Sequence, residues 1–369
     1  MRRICIRSRK RKRAVFLTAL FLLPLLLCLV LKIFSDNVSQ EDYKKDSLSL
    51  GNIVSEAYAG LRFDEWNPLN DETSETAEMP DEQTERKKSA DPGEKPYPEE
   101  WELNESTSII RTALTGYSGK KIITLDGGSL VQNNTSLENS LLLSESVLTP
   151  AFKISINEKP QVLIMHTHTT ESFEPYVREQ FDKNFNYRTT DETMNVVAVG
   201  DAIAEKLDSA GIAYIHDTTL HDYPSYTGAY ERSAETVKAI LREYPSIKVV
   251  LDIHRDAIGT DDAITQPIAE INGKEAAQIM IISGCDDGTM GMPEYMFNFR
   301  FACRLQEQAE SMYPGLTRPI LFDYRKYNQD LTTGSLLIEV GSHGNTIEQA
   351  VYSGSLFGDA LAQVLLDLH

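Results

Sequence analysis

Cysteine is nearly absent from the part of this chain that can fold into a domain. Of four cysteines, Cys5 and Cys28 belong to the extreme N-terminus, and only Cys285 and Cys303 follow. No Cys-x-x-Cys pair occurs, which argues against a thiolate zinc knuckle and a disulfide framework; the two later thiols are expected as core residues, with a single Cys285–Cys303 bridge as the alternative. A Gly-x-Ser-x-Gly elbow is missing, and so is the glycine-rich Lys-Ser/Thr loop that cradles phosphates. A serine-hydrolase elbow and a P-loop are excluded with them. Positive charge is also scarce beyond the start. The formal charge is −19, and the eight cations of residues 1–13 leave −27 for the remainder. Such a surface repels phosphates, which excludes nucleic acid as a partner.

What is present begins with that basic cluster. Residues 1–13 carry eight Arg or Lys and no acid, and Ala14 to Leu31 is then eighteen residues without a charge, closed by Lys32. That length suits a membrane helix, and no small-residue cleavage site follows it. An uncleaved single-pass anchor over 14–34 is expected, with the basic tail 1–13 inside and the rest of the chain outside. Residues 35–100 are polar and acidic, with stretches such as Asp71-Glu72-Thr73-Ser74-Glu75 and Lys95-Pro96-Tyr97-Pro98. They hold too little apolar surface to bury and read as a disordered spacer. Residues 101–159 are mixed and read as a small capping or docking segment.

From residue 160 onward strands and helices alternate. Gln161 to Met165 is a short apolar strand. Thr193 to Ala210 is helical, with Val196, Val199, Ile203 and Leu207 on one face and Gly211 as its stop. Further strands are expected at Ile212–Ile215, Lys248–Ile253, Gln278–Ser283 and Gly334–Val340. Helices are expected at Tyr230–Tyr244, Met296–Met312 and Asn345–Leu368, the last capped by Asn345 with Glu348 three residues on. This order predicts an α/β domain over 160–369 with a mainly parallel sheet flanked by helices, whose sites gather at the carboxyl ends of the strands.

Three segments at such ends hold imidazoles and carboxylates. His166-Thr167-His168-Thr169-Thr170-Glu171 follows the first strand, and alternation puts His166 and His168 on one side if the strand continues. His254 follows a strongly apolar strand, with Asp252 and Asp256 placed to orient its ring and Arg255 placed to clamp a substrate carboxylate. Glu339 lies within Leu336-Leu337-Ile338-Glu339-Val340-Gly341, where a carboxylate is costly to bury without a purpose. Neutral nitrogen and carboxylate oxygen are what a zinc hydrolase uses as ligands, with one further carboxylate as base. His166, His168, Glu171 and His254 are the candidate Zn2+ ligands, and Glu339 and Arg255 the candidate catalytic residues. His343, in the following loop, is expected near the site and not as a ligand.

These segments resemble the stage II sporulation protein P family, membrane-anchored peptidoglycan hydrolases of endospore-forming bacteria. Leu163 to Phe173, Asp252-Ile253-His254-Arg255-Asp256-Ala257 and Leu337-Ile338-Glu339-Val340-Gly341 carry the likeness, together with Asn195 to Gly200. It covers about residues 160–369 and the plan of anchor, spacer and domain. The family is similar to zinc-dependent N-acetylmuramoyl-L-alanine amidases. The resemblance implies an amidase-like catalytic domain, cleavage between muramic acid and stem peptide, and cleavage of peptide cross-links. It also implies a role in engulfment at the sporulation septum, partnership with stage II sporulation proteins D and M, and a domain on the wall side of the membrane. By position His168 matches the first zinc histidine of the amidases, His254 the second and Glu339 the general base. The carboxylate ligand falls on Glu171 or on Glu192 in the turn before the following helix, with Glu171 favoured by its place in the tight motif. Two other readings of the same residues are a zinc carboxypeptidase that trims wall peptides and a non-catalytic wall-binding scaffold.

Overall fold

Apolar strands and amphipathic helices take turns along the domain, as their periodicities require. The computed structural model describes residues 2–5, 106–182, 187–260 and 262–369. The expected anchor at 14–34 and spacer at 35–100 lie outside the described residues; among those described, no helix is long and apolar enough to cross a membrane. The elements are β1 (Arg2–Cys5), β2 (Ser106–Thr112), β3 (Ile122–Thr124), β4 (Leu130–Asn133), α1 (Asn139–Ser146), β5 (Val162–Met165), β6 (Gln180–Asp182), α2 (Val196–Ala210), β7 (Tyr214–Asp217), α3 (Ala229–Glu243), β8 (Val249–Asp256), β9 (Ala263–Ile271), β10 (Lys274–Ala277), β11 (Ile279–Gly284), α4 (Tyr295–Met312), β12 (Ile320–Asp323), β13 (Ser335–Ser342) and α5 (Ile347–Asp367).

The main sheet has nine strands in the order β1-β7-β5-β8-β13-β11-β12-β4-β3, and a second sheet has four in the order β10-β9-β2-β6. The expectation of a mainly parallel sheet needs correction, because the sheet is mixed. β7, β5, β8 and β13 run parallel, but β11 lies antiparallel beside β13, and β12 and β4 follow the direction of β11. The reason is the connection into β11. Only Gln278 separates β10 from β11, so the chain enters beside β13 without the helical crossover that a parallel neighbour needs. Within residues 101–159, expected as a capping or docking segment, β3 and β4 join one margin of the main sheet and β2 joins the second sheet. At the opposite margin β1 pairs antiparallel with β7.

Strand alternation sorts the core into two faces. Val162 and Ile164 of β5, Val249, Leu251 and Ile253 of β8, and Leu336, Ile338 and Val340 of β13 pack in the large cluster with α2, α4 and α5. The residues between them, Leu163, Met165 and Val250, pack with Val237 and Ile240 of α3 on the other face. Both Cys285 and Cys303 are buried free thiols, as expected for core residues.

The helix ends follow local chemistry. The Asn195 side chain accepts from Val197 N and starts α2, which Gly211 closes in the left-handed region at φ 74°. The cap of α5 is Thr346, not Asn345. Gln349 N donates to Thr346 Oγ1 at 3.2 Å, and Thr346 N donates to Gln349 Oε1 at 3.1 Å. This reciprocal box has Gln349 where Glu348 was expected. Thr346→Ala is expected to lower stability by about 1 kcal/mol, read as a lower urea midpoint with an unchanged slope.

Candidate active site

The same alternation decides which polar side chains meet. Asp252, His254 and Asp256 continue the α3-side parity of Val250 along β8, and Glu339 continues that of Leu337 along β13. Parallel register puts Glu339 beside His254. β5 ends at Met165, and the chain then turns through Thr167–Thr170, which carries His168 and Glu171 over the same face. Glu171 Oε2 lies 3.4 Å from His254 Nδ1. The His168 and His254 rings meet edge to face at 5.3 Å. Four of the expected residues, His168, Glu171, His254 and Glu339, therefore converge.

Asp252 fixes this arrangement. Its carboxylate accepts from Thr167 N at 2.8 Å and from Thr167 Oγ1 at 2.7 Å, and stands 2.8 Å from His254 Nε2. Asp252, and not Asp256, orients the imidazole; Asp256 pairs with Arg318 Nη1 at 2.8 Å. Burial alone would raise Asp252, but His254 and the Thr167 donors hold it below the usual carboxylate range. Burial opposes charge on His254 as well, yet Asp252 and Glu171 raise it well above the ordinary imidazole value. His168 goes the other way. Burial, then His254 and nearby arginines, lower it well below the ordinary value, so its ring is neutral. The enclosed His168 Nδ1 and Glu339 Oε2 find no hydrogen-bond partner. Burial, followed by the charge of Asp256, pushes the Glu339 carboxyl up to about 8.

As the side chains stand, no three His, Cys, Asp or Glu among the described residues are placed to hold a metal ion. The donor set nonetheless fits zinc chemistry. His168 offers a neutral ring with an unpartnered nitrogen, and Glu171 and His254 Nδ1 face each other. The far nitrogen of His254 is backed by a carboxylate, the support that metal-bound imidazoles receive.

Two expected site residues are directed elsewhere. His166 does not share the side of His168, because the turn after Met165 breaks the alternation. It keeps the opposite parity and is wholly buried beneath α2. There His166 Nδ1 donates to Ile253 O at 3.1 Å, and its Nε2 is 2.9 Å from His216 Nε2. Burial, then His216, pushes His166 down to about 3. A neutral ring whose Nδ1 proton serves Ile253 must accept at Nε2, so His216 is the donor between them. His216 Nδ1 in turn lies 3.1 Å from Asp201 Oδ1. A methyl on Gly200 would meet His216 Nε2 at 2.6 Å, so only glycine lets α2 lie on this pair.

Arg255 has the parity of Ile253 and points away from His254. Its Nε donates to Ser172 O at 2.8 Å and its Nη2 to Tyr187 O at 3.2 Å. It braces the segment after Glu171 and is not a clamp for a substrate carboxylate. Its backbone N donates to Glu171 Oε2 at 3.1 Å. The structure thus brings Glu171, rather than Glu192, against His254. His343 N donates to Asp256 O at 3.1 Å, which places that loop beside the site.

Several participants escaped the sequence reading. Tyr226 stacks on His168 at 4.5 Å with a 7° interplanar angle, and the Arg188 guanidinium lies 4.8 Å over the Tyr226 ring. Arg188 also pairs with Asp222 at 3.0 Å and approaches Glu171 at 3.6 Å. Asp222 accepts from Thr170 Oγ1 at 2.6 Å. The only sequence signal for these was a cluster of polar and aromatic residues, His221-Asp222-Tyr223 through Tyr230, between a strand and a helix.

Comparison with known proteins matches residues 40–362 to a family described as Stage II sporulation protein P (SpoIIP). Stage II sporulation protein P of Bacillus subtilis (strain 168) is 27% identical over 246 residues, 64% of this chain and 58% of that relative. The chain thus spans little more than half the length of that relative. Among solved structures, N-acetylmuramoyl-L-alanine amidase AmiC2 of Nostoc punctiforme matches at 12% identity and a TM-score of 0.35, over 56% of this chain and 96% of that one. The CwlD amidase from Clostridioides difficile in complex with the GerS lipoprotein matches at 12% and 0.34, over 56% and 99%. A metallo-carboxypeptidase from Burkholderia cenocepacia matches at 10% and 0.34, over 57% and 58%. Structural likenesses of this size carry no argument about function.

The buried His166 generates a pH dependence. An unfolded histidine titrates near 6.5, whereas folded His166 stays neutral down to about 3. Between these values the unfolded state holds the extra proton, so this residue's contribution falls as pH drops, by about 1.4 kcal/mol per unit at most. Urea denaturation from pH 7 to pH 4 should show a steeper acid loss in the wild type than in His166→Asn. Parallel curves would remove His166 as the source.

Proposed function

This chain belongs to the stage II sporulation protein P family, and on that premise we propose that it is a zinc-dependent peptidoglycan hydrolase. The proposed reaction is that of an N-acetylmuramoyl-L-alanine amidase, with endopeptidase cleavage of cross-links as a second activity. The observation that carries the reading is the convergence of His168, Glu171 and His254 beside Glu339, with an unpartnered buried nitrogen and oxygen among them.

His168, Glu171 and His254 would hold the metal. Bound there, Zn2+ supplies a Lewis acid for the scissile carbonyl and lowers the pKa of a water. Glu339 accepts the proton of the attacking water at Oε2 as the new C–O bond forms. It returns that proton to the amide nitrogen as the C–N bond breaks, so no proton is left over. Burial and Asp256 outweigh the pull of His254 and Arg318 and hold Glu339 protonated near neutrality; the further positive charge of a bound metal would draw it toward the carboxylate that a base must be. His254 must give up its proton to become a ligand, so metal uptake releases protons. Asp252 keeps its ring turned with Nδ1 toward Glu171. A carboxypeptidase reading loses one support, since Arg255 donates to backbone carbonyls and cannot clamp a terminal carboxylate.

The setting is proposed from the family: a single-pass anchor at 14–34, the domain on the wall side, engulfment during endospore formation, and stage II sporulation proteins D and M as partners. A basic tail on the inner side and the β1–β7 pairing exclude each other. On this reading the edge of β7 is released when the chain is membrane-held.

Glu339→Gln should keep the fold and the metal and lose on the order of 10²–10⁴ in hydrolysis rate. Near-normal turnover in a well-folded variant would sink the assignment of the base. His254→Ala should abolish zinc binding, measured by metal analysis of purified protein; full occupancy would remove His254 from the ligand set. Mass analysis of digested muropeptides should show intact stem peptides released from the glycan. Release of single amino acids would favour a carboxypeptidase instead.

A further inference from the structure

A groove of about 430 Å³ opens beside the candidate centre, lined in part by Tyr230, Glu231, Lys238, Tyr327 and Asn328. Its inner end is a pair of half-buried tyrosines. The Tyr230 and Tyr327 rings stack at 5.2 Å with an interplanar angle of 25°. Tyr230 also meets the His168 ring edge to face at 5.5 Å. Tyr327 takes a hydrogen bond from Arg325 Nη1 at 2.6 Å and feels the charge of Arg325 first, then those of Glu339 and His254, so the pair borders the atoms proposed to react.

The loop that presents Tyr327 is held at a conformational cost. Tyr327 and Asn328 both adopt positive φ, 44° and 56°, a pairing that non-glycine residues avoid and that tends to persist at functional sites. Asn328 Nδ2 pins it, donating to Tyr230 O at 2.9 Å and to Ser233 Oγ at 3.1 Å. Ser233 Oγ lies 2.8 Å from Thr167 Oγ1, which donates to Asp252. A continuous chain of hydrogen bonds, half-buried at Asn328 and buried from Ser233 inward, therefore ties the groove wall to the carboxylate that orients His254.

We propose that this groove binds a sugar ring of the glycan strand, with the Tyr230–Tyr327 pair as its platform; the inference rests on the hydrolase reading above. The charge of the groove selects for a neutral ligand. Lys238 pairs with Glu235 at 3.4 Å, and Lys326 pairs with Asp330 at 3.2 Å. Glu231 is then the surplus charge of the lining. An acidic peptide stem is repelled from such a groove, whereas sugar hydroxyls donate to its carboxylates. The C–H bonds of a pyranose ring carry partial positive charge and pack on the electron-rich face of an aromatic ring. The volume falls within the range of small-ligand pockets.

The test is binding of chitotetraose, a peptide-free oligomer of N-acetylglucosamine, to the full chain by calorimetry and saturation-transfer NMR. Wild type should bind it, Tyr327→Phe should match wild type, and Tyr327→Asn should weaken binding by about tenfold or more. Asn tolerates the backbone at that position. Lys238→Trp, at an exposed position on α3, fills the groove from its far end and should also weaken binding. If Tyr327→Asn does not fold, Lys238→Trp decides alone. Unchanged binding in either folded variant overturns the proposal, as does a free stem peptide that binds where the tetraose does not. Binding is read without turnover, so tetraose binding in a chain that hydrolyses nothing overturns the hydrolase reading and leaves the groove assigned. Hydrolysis without tetraose binding does the reverse.

Discussion

Asp252 is a carboxylate taken out of water that accepts from two donors and forms an ion pair with an imidazole. Both donors belong to Thr167 on the turn after β5, and the imidazole is that of His254 on its own strand. Burying such a charge is costly unless it is paired and hydrogen-bonded. Here the compensation comes from the groups that the centre needs to hold still. The turn that carries His168 and Glu171 is fastened to β8 through Thr167, and the ring of His254 is fixed by the same carboxylate. Loss of Asp252 would leave a buried imidazolium without its main partner and free the turn from the sheet.

Around this interaction the site divides its labour by strand parity. The odd and even residues of β8 serve different faces: Asp252, His254 and Asp256 line the centre, while Arg255 reaches under the Glu171–Ser172 segment and braces it from behind. His166 does the corresponding work beneath α2, joining the end of β5 to β7 through His216. Residues with the chemistry of a site can thus be one position away from it and act as supports.

Much of this was legible in the sequence. The apolar runs point to β5, β8 and β13, the apolar spacing points to α2 and α3 with α2 beginning at Val196 instead of Thr193, and the strand-end position groups His168, Glu171, His254 and Glu339, which the fold brings together. The failures have local causes. His166 was grouped with His168 because the alternation argument needs the strand to continue, and it stops at Met165. Arg255 was assigned from its neighbours, although alternation along β8 already put it on the opposite side from His254. The mixed sheet comes from the single-residue connection at Gln278, which leads β10 straight into β11; ahead of it the Asn272-Gly273 turn at positive φ joins β9 to β10, and Asn-Gly is a strong turn signal. The layers of Arg188, Tyr226 and His168 depend on contacts between distant segments, which no spacing rule reports.

The two thiols of the domain have a consequence for its covalent state. Cys285 and Cys303 are buried and unpaired, and burial pushes the Cys285 thiol up to about 12. At neutral pH the reactive thiolate of Cys285 is then on the order of one molecule in 10⁵. In the folded domain Cys285 is therefore a poor nucleophile toward a passing disulfide. Once folded, the domain keeps its two thiols out of reach of a reducing or an oxidising solution alike, so its covalent state depends little on the redox poise of its surroundings.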